Sequence, residues 1–389
     1  MSVDAKGPIY QRLEAGDPAP WFSQRTATNP RFVMDVSAGR YIVLGFYGSA
    51  GDATGRAAID DIIAQRHLFD DSRVCFFGVS IDPRDEGSGR VADMIPGIRH
   101  FLDFDLTISK LYGAVPTDAE VGKGEIPFRR FFVILDPTLR VVAVVPFENG
   151  GTTRLFDIIA ALPPPDRFAG IVLQAPVLFL PNVFEPAFCE MLIGLYEKHG
   201  GKESGFMREV DGKTVEIQDK SHKQRRDYII DDENVIAATR ARVRRRVIPE
   251  IRKIHQFDVT RMERYIVCCY DAEEGAHFRA HRDNTTRGTA HRRFAVSINL
   301  NDAFDGGEVS FPEYGPRSFK PPPGGAVVFS CSLLHAVSRI TRGRRYAFLP
   351  FLYDDAAARV REANNKFLGE GVSAYGTGEK NPEETAKAN

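Results

Sequence analysis

The chain has 389 residues, more than one hydrophobic core usually serves, so two domains are expected. It is 43% hydrophobic and 26% charged, as ordinary soluble domains are, and its formal net charge of −1 offers no global attraction to nucleic acid or to an anionic membrane. No apolar run approaches the length of a membrane span, and the opening MSVDAKGPIYQRLEAG lacks the apolar centre of a signal peptide, which favours a cytoplasmic location.

The first block alternates strand and helix signals. RYIVLGFYG (Arg40–Gly48) is an apolar strand run, and GRAAIDDIIAQRHLF after it reads as a helix with Ile59, Ile62, Ile63 and Leu68 along one side. VCFFGVSID (Val74–Asp82), FFVILDP (Phe131–Pro137) and RVVAVVPF (Arg140–Phe147) read as further strands, and TTRLFDIIAAL as an amphipathic closing helix. Strands separated by helices imply an α/β sheet. The three prolines Pro163, Pro164 and Pro165 cannot continue a helix, so the first domain is assigned to residues 1–165.

The second block, residues 166–368, opens with a strand and a helix in VLFLPNVFEPAFCEMLIGLYEKHG. The polar stretch Gly201–Asp232 reads as a mobile loop with short strands, placed to act as a lid. Glu233–His255 is helical in pattern, with Ile236, Val243, Val247, Ile251 and Ile254 in register, and Pro249 is expected to kink or split it. Arg240, Arg242, Arg244, Arg245 and Arg246 ride on that helix as a solvated face. From Met262 strands dominate: ERYIVCCYD, RRFAVSINLND, GEVSFPE, GAVVFSC and RRYAFLPFLYD, with Gly, Pro and Asp at the turns, which suggests a jelly roll or similar sandwich. Residues 369–389 form a polar tail without periodicity, expected to be disordered at its end.

Chemistry concentrates in YDAEEGAHFRAHRDN (Tyr270–Asn284). His281 and Asp283 are two apart, so on a strand they face one side and can share a divalent metal. His335, after the strand GAVVFSC, is the candidate third ligand. Two histidines and a carboxylate on one octahedral face leave three positions open, as Fe(II) oxygenases need, although a zinc hydrolase uses the same ligand types. Arg345, ten residues after His335, separates the two readings: an inward guanidinium would take the free carboxylate of a 2-oxo diacid, with Arg344 as the competing position. On a regular strand His277 would share the face of His281. His67, His100, His199, His222, His255 and His291 are expected to be ordinary surface side chains. Cys75, Cys189, Cys268, Cys269 and Cys331 are scattered and odd in number, which fits reduced thiols; Cys268 and Cys269 point to opposite faces and cannot chelate together.

Residues 172–355 resemble the prolyl 4-hydroxylase-type 2-oxoglutarate/Fe(II) dioxygenases. The resemblance rests on Tyr270, Gly275, Phe278, His281 and Asp283; on Leu300-Asn301, Gly306-Gly307-Glu308 and Phe311-Pro312; and on Pro323-Gly324-Gly325-Ala326, Leu334-His335 and Arg345 after Gly343. It implies a double-stranded β-helix (jelly roll) with flanking helices. His281, Asp283 and His335 would be the Fe(2+) ligands, and Arg345 and Tyr270 would contact 2-oxoglutarate. The implied activity is hydroxylation of an aliphatic C–H in a prolyl, amino-acid-like or small-molecule substrate, with O2 consumed and succinate and CO2 released. Residues 10–162 resemble peroxiredoxins of the thioredoxin-like fold, through GDPAPWF (Gly16–Phe22), RYIVLGFYG and FRRFFVILDPTLRVV. The peroxidatic cysteine is missing: Gly55 stands near its position, and Cys75 lies inside a strand, a poor place for an exposed thiolate. The first domain is therefore expected to be non-catalytic, a dimerisation or substrate-docking module. The readings left open are a thiol peroxidase or redox sensor and a non-catalytic binding module. Small-molecule or peptidyl substrates are the expected partners, without nucleic acid or membrane and with a homodimer through the first domain.

Overall fold

The computed structural model describes residues 7–376, so the disorder expected at the end of the tail lies outside the described residues. The chain divides into two units. The first ends at Gln174 and takes in Pro312–Pro316, and the second begins at Ala175. The boundary falls after the Pro163–Pro165 run because Leu162 and Phe168 still pack against the first core. No helix among the described residues is long and apolar enough to cross a membrane.

The first unit is an α/β layer. β1 (Tyr41–Gly48) is buried along its whole length and flanked by β2 (Val74–Ser80), then β3 (Ile98–Leu102), both parallel. On its other side lie β4 (Phe131–Leu135) and β5 (Val141–Pro146), antiparallel. The sheet order is β3-β2-β1-β4-β5. Tyr41, Val43, Phe76 and Phe132 on one face meet Ala58 and Ile62 of α1 (Ala53–Ala64) and Leu155 and Ile159 of α2 (Gly151–Ala161). Ile63, expected to be on the packed side of α1, is 39% exposed, because the packed face centres on Ala58 and Ile62 and Ile63 lies about 100° further round the helix.

The second unit is built on two sheets. Its early elements are β6 (Leu178–Leu180), α3 (Pro186–His199), β7 (Lys202–Glu203), β8 (Phe206–Val210), β9 (Lys213–Ile217), β10 (Lys223–Gln224) and β11 (Arg226–Ile229). The short strands expected in Gly201–Asp232 are present: β8 and β9 form a hairpin, β10 joins the small sheet and β11 the large one. The long helical segment is split as its proline requires, into α4 (Glu233–Arg246) and α5 (Ile248–His255), with Pro249 in the first turn of α5 where no N–H is needed. Ile254, expected on its buried face, is 56% exposed. Arg242 and Arg246 of the arginine cluster are tied to Glu185 within the unit.

The strands that follow are β12 (Arg261–Glu263), β13 (Ile266–Asp271), β14 (His277–His281), β15 (Phe294–Asn299), β16 (Val309–Ser310), β17 (Ser318–Phe319), β18 (Ala326–Ser330), β19 (His335–Val337), β20 (Arg342–Phe348) and β21 (Phe351–Tyr353), before helix α6 (Asp355–Ala363). The large sheet runs β12-β21-β15-β20-β13-β11-β7, with β18 beside β15 and β6 beside β18. The small sheet runs β10-β14-β19-β16-β17.

Residue parity sorts the two faces of the large sheet. Val267, Cys269, Val296, Ile298, Val328, Tyr346 and Phe348 belong to one cluster with Leu192 and Tyr196 of α3, Val243 of α4 and Ile251 of α5. The opposite face carries Cys268 and Tyr270 on β13, paired with Ala347 and Arg345 on β20, then Asn299 and Ser297 on β15 and Phe329 on β18. One face is an apolar floor for helices, each large side chain worth roughly 1.5–3 kcal/mol of burial. The other is polar, and the small sheet stands over it.

Candidate metal centre

His281 ends β14 and His335 begins β19, and the two residues are direct partners in the antiparallel ladder. Their imidazole centroids are 4.2 Å apart. Asp283, just past the end of β14, points between them: its carboxylate oxygens lie 3.6 Å from His281 Nε2 and 3.4 Å from His335 Nε2. The three donor atoms fall within 4.8 Å of one another, the one such cluster among the described residues. His281 Nδ1 donates to the Arg279 carbonyl (2.7 Å) and His335 Nδ1 to the Leu333 carbonyl (3.0 Å), so in both rings Nε2 carries the lone pair that faces the carboxylate. Burial, reinforced by His335, pulls His281 down to about 4 and keeps it neutral. Burial works against ionisation of Asp283, but its charged surroundings, Arg292 among them, outweigh that and hold the carboxyl below its usual range.

A β-bulge sets this arrangement. Between the pairs Phe278–Val337 and His281–His335, β14 advances three residues while β19 advances two. Phe278 and His281 therefore share a face despite their odd spacing, and the rings stack. His277 is turned away to the backbone, with Nδ1 2.9 Å from the Gly275 carbonyl and Nε2 3.2 Å from that of Ser221. The regular strand expected from the sequence would have aligned His277 with His281; the extra residue reverses that.

Arg345 is 1% exposed on the polar face of the large sheet. Its Nε donates to Asn299 Oδ1 (2.9 Å) and its Nη2 to Ser297 Oγ (2.8 Å), while the buried Nη1 has no hydrogen-bond partner. The close approach requires glycine at Gly307, where φ is +67° and a Cβ would lie 3.0 Å from Arg345 Cδ. Arg344 points the other way, half exposed, and pairs with Asp271 at 2.8 Å. Tyr270 stands beside Arg345 in the ladder and lies between two guanidiniums, Arg345 at 5.3 Å and Arg225 at 5.7 Å from its ring centre. Phe329, on the same sheet face as Ser297 and Arg345, packs its ring 4.6 Å from that of His335. Phe329 thus links the sheet face that carries Arg345 to the ring of His335.

Several neighbours were hidden in sequence. Ser297 and Asn299 had a signal, two polar residues alternating inside the apolar run RFAVSINL. Lys223 and Arg225 lay in the stretch read as a loop. His222 is half-buried against Phe206 and Phe278, 6.5 Å from His281, rather than on the surface. His100 and His291 are likewise buried instead of exposed, His100 against Tyr47 Oη (3.2 Å) and His291 against Glu263 (3.1 Å). All five cysteines are free and buried.

In the first unit, the place where a reactive thiol would open α1 is occupied otherwise. Asp52 caps the helix by accepting from Gly55 N (2.8 Å) and receives Arg130 Nη2 at 2.8 Å. A Cβ on Gly55 would lie 2.0 Å from the Ser49 carbonyl oxygen. Burial pushes the Cys75 thiol up to about 12.

The second unit is therefore built on two β-sheets and brings together two histidines and a carboxylate that could hold a metal ion. Residues 265–353 match the model of the 2OG-Fe(II) oxygenase superfamily. A PKHD-type hydroxylase of Gluconobacter oxydans is 43% identical over 84 residues, and one of Cupriavidus metallidurans 38% identical over 85. Each match covers 19% of this chain and 37% of the relative, so the chain spans little more than a third of the length of these relatives. Among solved structures, a Trichoplax adhaerens prolyl hydroxylase in complex with a hypoxia inducible factor peptide fragment aligns at 15% identity and a TM-score of 0.36, covering 49% of this chain and 91% of that one. The Xanthomonas campestris bacterioferritin comigratory protein aligns at 17% identity and a TM-score of 0.32, covering 38% and 98%.

Proposed function

We propose that this protein is a 2-oxoglutarate-dependent Fe(II) dioxygenase that hydroxylates an aliphatic C–H of a prolyl, amino-acid-like or small-molecule substrate. The observation that carries the reading is the orphaned, buried Nη1 of Arg345, on the sheet face whose Phe329 ring packs against His335 of the triad. A buried cation with an unfilled donor is costly unless an anion completes it. The distal carboxylate of 2-oxoglutarate supplies that anion, with Ser297 and Asn299 fixing the plane of the guanidinium. A zinc hydrolase has no use for such a pocket.

The donor set fits Fe(II): two imidazoles with free Nε2 lone pairs and an ionised carboxylate, leaving coordination positions for cosubstrate and oxygen. His281, Asp283 and His335 hold the metal. Bound Fe(II), with 2-oxoglutarate and O2, supplies oxidative decarboxylation to succinate and CO2 coupled to C–H hydroxylation. The chain's own part is orientation and dryness. The Arg279 and Leu333 carbonyls fix the two rings, Arg345 fixes the far end of the cosubstrate, and Phe278, Phe311 and Phe329 exclude water around the histidines. Tyr270 Oη, within reach of Arg225 Nη1 at 3.4 Å, orients the cosubstrate. The first unit, with no usable thiol, serves in docking or dimerisation. The test is conversion of 2-oxoglutarate to succinate by the Fe(II)-loaded chain over a substrate panel, beside His281→Ala and Asp283→Ala. Failure of the wild-type chain either to bind or to consume 2-oxoglutarate overturns the reading.

A further inference from the structure

The matched stretch ends at Tyr353, yet the chain continues through α6 and a 3-10 turn, Asn364–Phe367, back to the loop that follows Asp283. That loop has no helix or strand between Asp283 and Phe294; main-chain bonds anchor its ends, Asp283 N to the Cys331 carbonyl (2.9 Å) and Arg293 N to that of Leu352 (3.2 Å), and side-chain contacts hold the stretch between. Two grips come from the C-terminal segment. The first is a buried node on Glu263, 7% exposed, whose carboxylate accepts from Arg292 Nε (2.8 Å) of the loop, pairs with Arg361 Nη1 (2.8 Å) of α6, and lies 3.1 Å from His291 Nε2. Arg292 also reaches back with Nη1 to the main-chain carbonyl of Asp283 (3.4 Å). The second lies at the loop's outer bend. Asn364 Nδ2 donates to the Arg287 carbonyl (2.8 Å), and the Phe367 ring covers the Arg287 guanidinium at 4.1 Å.

We propose that the C-terminal segment Asp355–Phe367 is a clasp that positions the metal-binding loop, and with it Asp283, through Arg361, Asn364 and Phe367. The inference rests on Asp283 as a metal ligand. One buried carboxylate joins the loop and the clasp, so removing Arg361 leaves Glu263 with one fewer cation and loosens Arg292, the residue that touches Asp283. Arg292 and Glu263 are positioning residues: neither lies among the donor atoms.

The test uses the full chain. Hydrogen exchange of loop residues 284–292 is measured without metal, and Co(II) affinity by titration of its visible bands. The variants are Arg361→Met and the double variant Asn364→Ala/Phe367→Leu, with Arg361→Lys as the conservative change and Arg359→Met, on the exposed side of α6, as the control. The clasp predicts faster loop exchange and Co(II) affinity weakened about tenfold to a hundredfold in both variants, partial recovery in Arg361→Lys and no change in the control. Unchanged Co(II) affinity in both variants, or an equal loss in the control, overturns it. A wild-type chain that binds no Co(II) overturns the metal reading instead, and loop exchange alone then decides the clasp: unaltered exchange in both variants overturns it.

Discussion

The Phe278 ring lies flat on the His281 imidazole, with centroids 3.5 Å and planes 18° apart. Lys223 Nζ stands 5.0 Å over the centre of the same phenyl ring. The stack limits rotation of an imidazole whose Nδ1 is already fixed by a carbonyl, leaving its Nε2 one direction. Aromatic pairs of this kind contribute about 0.5–1.5 kcal/mol. Phe278→Leu should therefore weaken Co(II) or Fe(II) binding by about threefold to tenfold, and Phe278→Tyr should retain it. Metal titration of the two variants checks this; equal affinities for Leu and wild type would count against the stack.

Arg345→Met should raise the dissociation constant for 2-oxoglutarate by about tenfold to a hundredfold, since a lost charged hydrogen bond costs about 1.5–3 kcal/mol. Metal binding should be unaffected. Arg344→Met, which breaks an exposed pair with Asp271, should change cosubstrate binding little. Calorimetric titration of 2-oxoglutarate into the metal-loaded variants separates the two arginines, and a larger effect at Arg344 would contradict the assignment.

The first unit should show no thiol chemistry. Cys75 is fully buried and its thiol is raised to about 12, so almost none is thiolate at neutral pH. Peroxide consumption by the chain should be the same in wild type and Cys75→Ser. Gly55→Cys should not create a peroxidase, because its Cβ would meet the Ser49 carbonyl. A peroxide assay in excess reductant reads all three proteins.

Acid should weaken the first unit through His100. Burial pulls this histidine down to about 4, against an ordinary 6.5, while Asp93 beside it acts in the opposite sense. The unfolded chain then binds more protons between those values, so stability is full above about pH 6.5 and falls as the pH drops toward 4. The loss attributable to this group is on the order of 2–3 kcal/mol. Denaturant unfolding of wild type and His100→Gln at pH 7 and pH 4.5 should show a shallower pH dependence in the variant. Parallel pH profiles would assign the acid sensitivity elsewhere.

Sequence by itself determined the elements whose signals are local. The apolar runs of β1, β2 and β4, the split of the long helix at Pro249, and the missing thiol at Gly55 follow from periodicity, from proline's missing N–H and from composition. The residue types of the His281, Asp283 and His335 cluster could also be picked out, because metal chemistry restricts which side chains serve, and the fold brings their donor atoms within 4.8 Å of one another. Tertiary structure alone decided what depends on pairing. The bulge in β14 exists only against β19, so the exchange of Phe278 for His277 beside His281 could not be read from spacing. Strand parity across β13, β15 and β20 placed Arg345, rather than Arg344, beside Tyr270, Ser297 and Asn299. The short strands expected in Gly201–Asp232 are polar, so their partners could not be read locally; pairing assigns β10 to the small sheet and β11 to the large one. His100, His222 and His291 are polar residues whose burial depends on partners far away in sequence: Tyr47, Phe278 and Glu263.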